Sequence, residues 1–328
     1  MEQADELRLL TKVARLYHAR GLRQIDIAQR LRLSQPRVSR LLQQAEQLGV
    51  VRNVVAAPPG LNSHLEEALA GGYGLAAAHV IDAVADDEDE LTHDLGHATA
   101  RFMAAHPGPA PTIGFTSWSR TFRHMVAALS PVRLGTERVV EMLGDLGSPK
   151  VQQDTAHMTQ RLAALTGGQP TFLRVPGVVS SPDMREAILS RDPHAREALT
   201  MLDSLDIALI GAGPCEVVAP LSPGDNYFTQ EQFDLAGKQG AVGQLCLRFL
   251  DAGGAPVDTP MNELVIGVTL DQLRVAHSRW MAAGGPSKYP IIQAALAGRW
   301  VDTLVTDTVT ARHLLSVASD VAREARPG

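Results

Sequence analysis

Apolar residues near the N-terminus recur with a helical period. Leu9, Leu10, Val13, Leu16 and Tyr17 predict the inward face of a helix over residues 5–19. Ile25, Ile27, Ala28 and Leu31 mark a second helix near 23–31. Val38, Leu41, Leu42 and Ala45, spaced i, i+3, i+4 and i+7, mark a third over 35–48. Leu33 falls in the turn between these two, and Ser34 stands where an N-cap is wanted. Pro36 lies in the following first turn, where a missing N–H costs little. Val50, Val51, Val54 and Val55 suggest a β-ribbon or wing before Pro58-Pro59-Gly60 breaks the chain. This places the linker there, with a head over 1–56 and a body over 57–328. A helix near 61–70 fits either side.

Beyond residue 75 the pattern changes. Short β-branched runs occur at His79–Ile81, Thr112–Phe115, Val139–Leu143, Thr171–Val175, Ile207–Ile210, Leu264–Val268 and Thr303–Thr306. Helical patterns alternate with them near 91–105, 119–129, 152–165, 183–190, 195–203, 231–238 and 289–297. The alternation predicts a doubly wound α/β domain around a mainly parallel sheet. The acidic run Asp86-Asp87-Glu88-Asp89-Glu90 fits a solvated loop and helix start, where carboxylates meet the positive end of the dipole.

The polar face of the third helix carries Gln35, Arg37, Ser39, Arg40 and Gln43. Arg matches guanine edges and Gln adenine edges, so this face suits the major groove of DNA. Arg23, Arg30, Arg32 and Arg52 are placed for phosphate contacts, which set register without reading sequence. Charge is divided accordingly. Residues 1–56 hold ten Lys/Arg against five Asp/Glu, whereas the rest hold twenty against thirty-one. A basic head on an acidic body favours phosphate contact by the head alone. The bland alternative is an ordinary helical hairpin with a solvated face.

Composition narrows the class. The 328 residues are 45% apolar and 20% charged, as in ordinary soluble globular proteins. No apolar run has membrane-spanning length, and MEQADELRLL lacks a secretory pattern, so a cytoplasmic protein without a membrane partner is expected. Cys215 and Cys246 are far apart and form no C-x-x-C unit, as expected of thiols in a reducing compartment.

In open α/β sheets, ligands gather beyond the carboxyl ends of strands. Three segments fit that place. Gly114-Phe115-Thr116-Ser117-Trp118-Ser119-Arg120-Thr121 passes from strand to helix with hydroxyls and free N–H groups that suit a phosphate. Ile210-Gly211-Ala212-Gly213 follows a strand and permits close backbone approach. Ala283-Gly284-Gly285-Pro286-Ser287-Lys288 follows a short apolar run and adds a cation. Each alone is as readily a structural turn; three at corresponding strand ends point to a phosphorylated small molecule. Trp118 either stacks on a sugar ring or packs under its loop. His93 and His97 lie four apart, but with no H-E-x-x-H pattern and no third ligand evident, neither a metal nor a cofactor is expected.

Taken in order, the segments SWSRT at 117–121, DIALIGAG at 206–213, GAVGQLCLRFLD at 240–251, VIGVTLDQL at 265–273, AAGGPSKYPIIQAALAG at 282–298 and LVTDTVTARHLL at 304–315 carry a further signal. With the head, VARLYHARGLRQIDIAQRLRLSQPRVSRLLQQAEQLGVV, the chain resembles the SorC family of bacterial sugar-responsive transcriptional regulators over nearly its whole length. The resemblance implies a helix-turn-helix domain joined to a sugar-isomerase-like effector domain. It also implies a homotetramer on operator DNA, modulated by a phosphorylated sugar. Carried onto this sequence, Ser117, Ser119 and Thr121 with Lys288 would hold the phosphate. Gln152, the Gly211–Gly213 turn, Asn226 and Gln244 would lie near the remaining ligand. Gln244 stands where the family often has an acidic residue, and Ser119 where it often has glycine.

The expected function is a DNA-binding transcriptional repressor. The competing reading is a sugar-phosphate isomerase or deaminase with an appended head, which needs a positioned general base. Ribose-phosphate isomerases of similar fold carry D-G-A-D-E after a comparable strand; Gly211-Ala212-Gly213-Pro214-Cys215-Glu216 lacks the paired carboxylates. A third reading makes the head a protein-contact module.

Overall fold

A computed structural model describes residues 2–51, 62–82, 87–218, 221 and 226–324. The chain divides into two compact units, Met1–Leu61 and Asn62–Gly328. The expected linker at Pro58-Pro59-Gly60, the wing residues Val54 and Val55, and Arg52 lie outside the described residues.

The first unit contains α1 (Glu2–Ala14), a π-helical turn (Arg15–Ala19), α2 (Gln24–Leu31) and α3 (Gln35–Gln47). Leu10, Val13, Ala14 and Leu16 meet Ile27 and Ala28 of α2 and Val38, Leu41, Leu42 and Ala45 of α3 in one core. Tyr17, expected to face inward, is exposed. The π turn shifts the helical phase there, and the Tyr17 ring stands edge-on to His18 instead. Ile25 is also exposed, because Ile27, Ala28 and Leu31 already fill the narrow apolar stripe of an eight-residue helix. Arg32 ends α2 with φ of 54°, and Leu33 N–H closes the turn on Ala28 O at 2.9 Å. Ser34 occupies the N-cap position, but its carbonyl rather than its hydroxyl receives the first-turn N–H groups, from Arg37 and Val38.

In the second unit seven strands form one sheet: β1 (Ala77–Ile81), β2 (Thr112–Phe115), β3 (Arg138–Glu141), β4 (Gln169–Thr171), β5 (Ile207–Ile210), β9 (Ser278–Ala282) and β10 (Thr303–Asp307). A smaller antiparallel sheet joins β6 (Ala212–Gly213), β7 (Gly243–Leu245) and β8 (Arg248–Leu250). The large sheet runs β1-β10-β9-β5-β2-β3-β4, parallel throughout. The helices are α4 (Ser63–Tyr73), α5 (Glu88–Ala105), α6 (Arg120–Ala128), α7 (Pro149–Thr166), α8 (Pro182–Arg191), α9 (Pro193–Met201), α10 (Gln230–Lys238), α11 (Leu270–Val275), α12 (Tyr289–Ala297) and α13 (Thr308–Glu324).

Strand periodicity explains why the sheet is covered on both faces. Ala208 and Ile210 of β5 join one buried cluster with Leu304 and Met281, while Ile207 and Leu209 join another with Val305, Trp280 and Ile113. A third cluster, built on Phe228, Phe233 and Phe249, packs beside the small sheet.

Two expected strands need correction. Leu264–Val268 is not a sheet strand. It follows the 3-10 turn Pro260–Leu264 and makes only isolated bridges, Val178 to Val265 and Leu143 to Gly267. Its carbonyls serve guanidinium groups instead: Arg185 Nε donates to Val265 O, Arg248 Nε to Val268 O and Arg248 Nη2 to Gly267 O. Of Thr171–Val175 only Thr171 is in a strand, since Leu173 N–H turns to Glu141 Oε2. The strand β9, in contrast, replaces what the sequence offered only as a short apolar run.

Candidate effector site

The strand order reverses between β2 and β5. From β2 the chain proceeds outward to β3 and β4, whereas from β5 it proceeds the other way to β9 and β10. Loops leaving β2 and β5 therefore diverge, and a crevice opens at their carboxyl ends. A cavity of about 180 Å³ lies among these loops. Trp118, Ser119 and Thr121 line it from beyond β2, Gly211 and Gly213 from beyond β5, and Ser287 and Lys288 from beyond β9; the small sheet contributes Gln244.

The wall after β2 is the first turn of α6. Ser119 caps it, its Oγ accepting from Phe122 N at 3.5 Å and its carbonyl from Arg123 N at 2.9 Å. The N–H groups of Arg120 and Thr121 have no hydrogen-bond partner among the described residues, and helix starts bind anions through such groups. Arg120 is exposed and reaches Asp89 and Glu88 at the start of α5. There Asp87 caps α5 by accepting from Asp89 N at 2.7 Å and Glu90 N at 3.1 Å. Of the acidic run, Asp87 thus serves as a cap and Glu88 and Asp89 as ion-pair partners at the rim; Asp86 lies outside the described residues.

Lys288 closes the opposite loop. Its ammonium makes no hydrogen bond or ion pair among the described residues. Burial lowers its pKa, Glu88 opposes that and Arg120 adds to it. An anion beside it would favour the charged form. Two further polar atoms of the wall are buried without partners among the described residues, Trp118 Nε1 and Tyr227 OH. Burial pushes the Tyr227 hydroxyl pKa strongly upward, with Cys215 and Glu216 adding to it.

Not every expected residue reaches the wall. Ser117 is buried outside it. Gln152 turns away, its Nε2 donating to Gly147 O at 2.9 Å. Asn226 lies off the wall with φ of 54°. Gly284 and Gly285 have structural reasons to be glycine. A Cβ at Gly284 would collide with Asp307 Oδ2, and Gly285 has φ of 91° with its N–H on Thr310 Oγ1 at 3.0 Å. Trp118 both lines the cavity and packs on the aromatic cluster. Glu88 and Glu216 also line the cavity, as do Tyr227, Arg123, Val151 and Thr155, which carried no sequence signal because they come from an irregular loop and helix faces.

His93 has two imidazole neighbours, His97 with ring centres 4.2 Å apart and His124 of α6 with ring centres 5.2 Å apart. Burial, with His93 adding, lowers the pKa of His97 and His124. No group of side chains among the described residues has metal-holding geometry. Cys215 and Cys246 are free thiols, and burial pushes Cys215 up to about 11. No helix among the described residues is long and apolar enough to cross a membrane.

In the first unit Gln35, Arg37, Arg40 and Gln43 are exposed along α3, and Ser39 is half-buried. Arg30 and Arg32 are exposed, while Arg23 pairs with Asp26 at 3.1 Å. An open groove between α1 and α2 also gathers Arg8, Lys12, Arg15, Arg20 and Arg30, a cationic surface that residue patterning had not singled out.

Residues 58–316 match the family model described as "Putative sugar-binding domain". The chain is 32% identical over 316 residues to the deoxyribonucleoside regulator of Bacillus subtilis (strain 168), covering 95% of this chain and 98% of that protein. The chain belongs to the SorC family of transcriptional regulators. Another relative is the sorbitol operon regulator of Klebsiella pneumoniae, 30% identical over 319 residues, covering 96% of this chain and all of that one. The crystal structure of full-length SorC from Klebsiella pneumoniae matches with a TM-score of 0.69 at 29% identity, over 95% of this chain and 99% of that one. As a SorC-family member, the protein is a transcriptional regulator with a sugar-binding domain.

Proposed function

We propose that this regulator binds operator DNA through the exposed face of α3 and is a repressor released by a phosphorylated sugar held at the β2/β5 crevice. Arg37, Arg40 and Gln35 contact base edges, with Ser39 and Gln43 in support. Arg23, Arg30, Arg32 and Arg52 hold phosphates, and the cationic groove of Arg8, Lys12, Arg15 and Arg20 extends that surface. The protein acts in the cytoplasm as a homotetramer that presents paired heads to repeated half-sites. The ligand binds one effector-domain conformation more tightly and so shifts the spacing of the paired heads, by as much as its affinities for the two conformations differ.

One observation carries the ligand assignment: Lys288 and the unpartnered N–H groups at the start of α6 line the same small cavity. That pairing suits a phosphate, and Ser119 and Thr121 flank it. Binding rather than turnover is favoured by the carboxylates present. Glu88 and Glu216 are both exposed, and Glu88 is engaged by Arg120. Neither is a buried general base.

The test is thermal unfolding of the full-length protein with matched phosphorylated and unphosphorylated sugars. A ligand at a hundredfold excess over its Kd stabilises by about 2.7 kcal/mol, an easily read shift. The reading expects shifts from phosphorylated compounds alone, lost in Lys288→Ala. Equal shifts from free sugars, unchanged in that variant, would overturn it.

A further inference from the structure

β1 is an edge strand of the large sheet, with β10 on one side only. Its open side is met by the first turn of α4. Val80 N–H donates to Glu66 Oε1 at 2.8 Å, and Val80 O accepts from Asn62 Nδ2 at 3.0 Å. Two side chains thus take both edge-facing backbone groups of one residue, where another strand would otherwise pair. The same Glu66 oxygen meets His79 Nδ1 at 3.1 Å, and Asn62 Nδ2 also donates to Asp82 Oδ1 at 3.1 Å.

Asn62 forgoes another role to do this. It stands at the N-cap of α4, where an Asn side chain ordinarily accepts a first-turn N–H, yet its side chain makes no such bond. Its carbonyl receives Leu65 N–H at 2.9 Å and Glu66 N–H at 3.0 Å, and its amide is turned to β1. Asn62 is also the first residue of the second unit. What holds it therefore fixes the point at which the chain from the head enters the effector domain.

The block around α4 is fastened to the effector loop. β1 pairs with β10 as far as Ile81 beside Asp307, and Asp307 Oδ1 caps α13 by accepting from Val309 N and Thr310 N, each at 2.9 Å. Thr310 Oγ1 accepts from Gly285 N–H at 3.0 Å, in the loop that carries Lys288. The Tyr289 ring stacks on His313 with centres 4.0 Å apart. α13 in turn holds α4: Tyr73 OH donates to Leu314 O at 2.7 Å, and Leu69 shares a buried cluster with Ala311 and Leu314.

The consequence is mechanical. A helix start that frays absorbs a displacement, whereas one whose polar groups are paired to a sheet passes it on. We propose that Asn62 and Glu66 are positioning residues for the regulatory response. They keep α4 fixed to the effector sheet, so that a change at the Lys288 loop reaches the linker instead of being lost at the helix start. This rests on the reading above that a phosphorylated sugar bound at that loop alters DNA affinity.

The test compares full-length wild type with Asn62→Asp, Glu66→Leu and Glu66→Gln. Asn62→Asp keeps the shape, loses the donor to Val80 O and sets like charge against Asp82. Glu66→Leu removes the acceptor, and Glu66→Gln restores an oxygen for Val80 N–H. Calorimetry gives the affinity for ribose 5-phosphate, glucose 6-phosphate, fructose 6-phosphate and fructose 1,6-bisphosphate. Anisotropy gives the affinity for a fragment from upstream of the protein's own gene, without ligand and with the tightest binder at saturation. All four proteins are expected to bind sugar phosphate and free-state DNA alike. The change in DNA affinity on adding ligand is expected to be at least about fivefold in wild type and Glu66→Gln, and below about twofold in the other two. A merely structural role would lower the melting temperature and leave that ratio intact, which overturns this proposal and leaves the phosphate reading standing. A ligand that binds wild type without changing its DNA affinity overturns the regulatory reading and the proposal together, and so does binding of none of the four compounds. Should Asn62→Asp and Glu66→Leu not fold, hydrogen exchange of the wild type decides: Val80 N–H is expected to stay protected with and without ligand, and its release on ligand binding overturns the proposal.

Discussion

Gly211 N–H donates to Thr116 Oγ1 at 3.1 Å, and the same hydroxyl donates to Leu209 O at 2.8 Å. One buried side chain thereby ties the carboxyl ends of β2 and β5, the two strands between which the sheet order reverses. The fit is close on both sides: a Cβ on Gly211 would come within 2.6 Å of Thr116 Cγ2. The crevice owes its shape to this tie as much as to the strand order.

Thr116→Val keeps the volume and removes the hydroxyl, which leaves Gly211 N–H buried without a partner. The expected loss is about 1–3 kcal/mol of stability, measured by urea denaturation. The ligand-induced thermal shift should shrink as well, because the loops after β2 and β5 lose their common anchor. An unchanged denaturation midpoint would contradict the role given to Thr116.

Arg174 faces two carboxylates, Asp145 at 2.6 Å and Glu141 at 3.5 Å. Burial raises the pKa of both, and Arg174 opposes the rise in both. A carboxyl whose folded pKa is raised holds its proton more tightly folded than unfolded. Its contribution to stability therefore falls as pH climbs from the usual carboxylate range through the folded pKa. Arg174→Ala removes the opposing cation. The loss should be smaller at pH 4, where a larger share of these carboxyls holds a proton, than at pH 7, where it should reach about 1–3 kcal/mol, the half-exposed guanidinium being partly screened. Urea denaturation at the two pH values checks this; an equal loss at both would contradict it.

Arg37→Ala and Arg40→Ala should each weaken DNA binding by about 1–3 kcal/mol, the value of a good bidentate base contact. Both side chains are exposed, so thermal stability should be unaffected. Arg30→Ala should weaken binding to all sequences alike and reduce the salt slope by about 1. Anisotropy titrations at several salt concentrations separate the two classes. Base-independent losses at Arg37 and Arg40 would reassign them to phosphates.

Legibility in the sequence followed the physics of each segment. The parallel sheet was readable where both faces are buried, as in Ile207–Ile210, because every residue there is apolar. It was misread at Leu264–Val268, where an equally apolar run gives its carbonyls to Arg185 and Arg248, partners distant in sequence. The loops after β2, β5 and β9 were legible as turns that converge on one edge, and Lys288 with them. Tyr227 and Thr155 were not, since nothing local marks a residue that reaches a cavity only through tertiary packing. Tyr17 was misplaced because a single π turn changes the phase that periodicity relies on. The Gln244 amide is held by Leu247 N–H at 2.7 Å, a bond that no spacing rule foretells.

The most direct measurement of the central claim is an anisotropy titration of a labelled fragment from upstream of the protein's own gene. It would use full-length protein with and without a phosphorylated sugar that raises the melting temperature. The account predicts salt-sensitive binding whose affinity falls at least about fivefold with ligand, the lower range of allosteric coupling. It also predicts that Lys288→Ala keeps the DNA affinity and loses the response. Affinity identical with and without a ligand that demonstrably binds would contradict it.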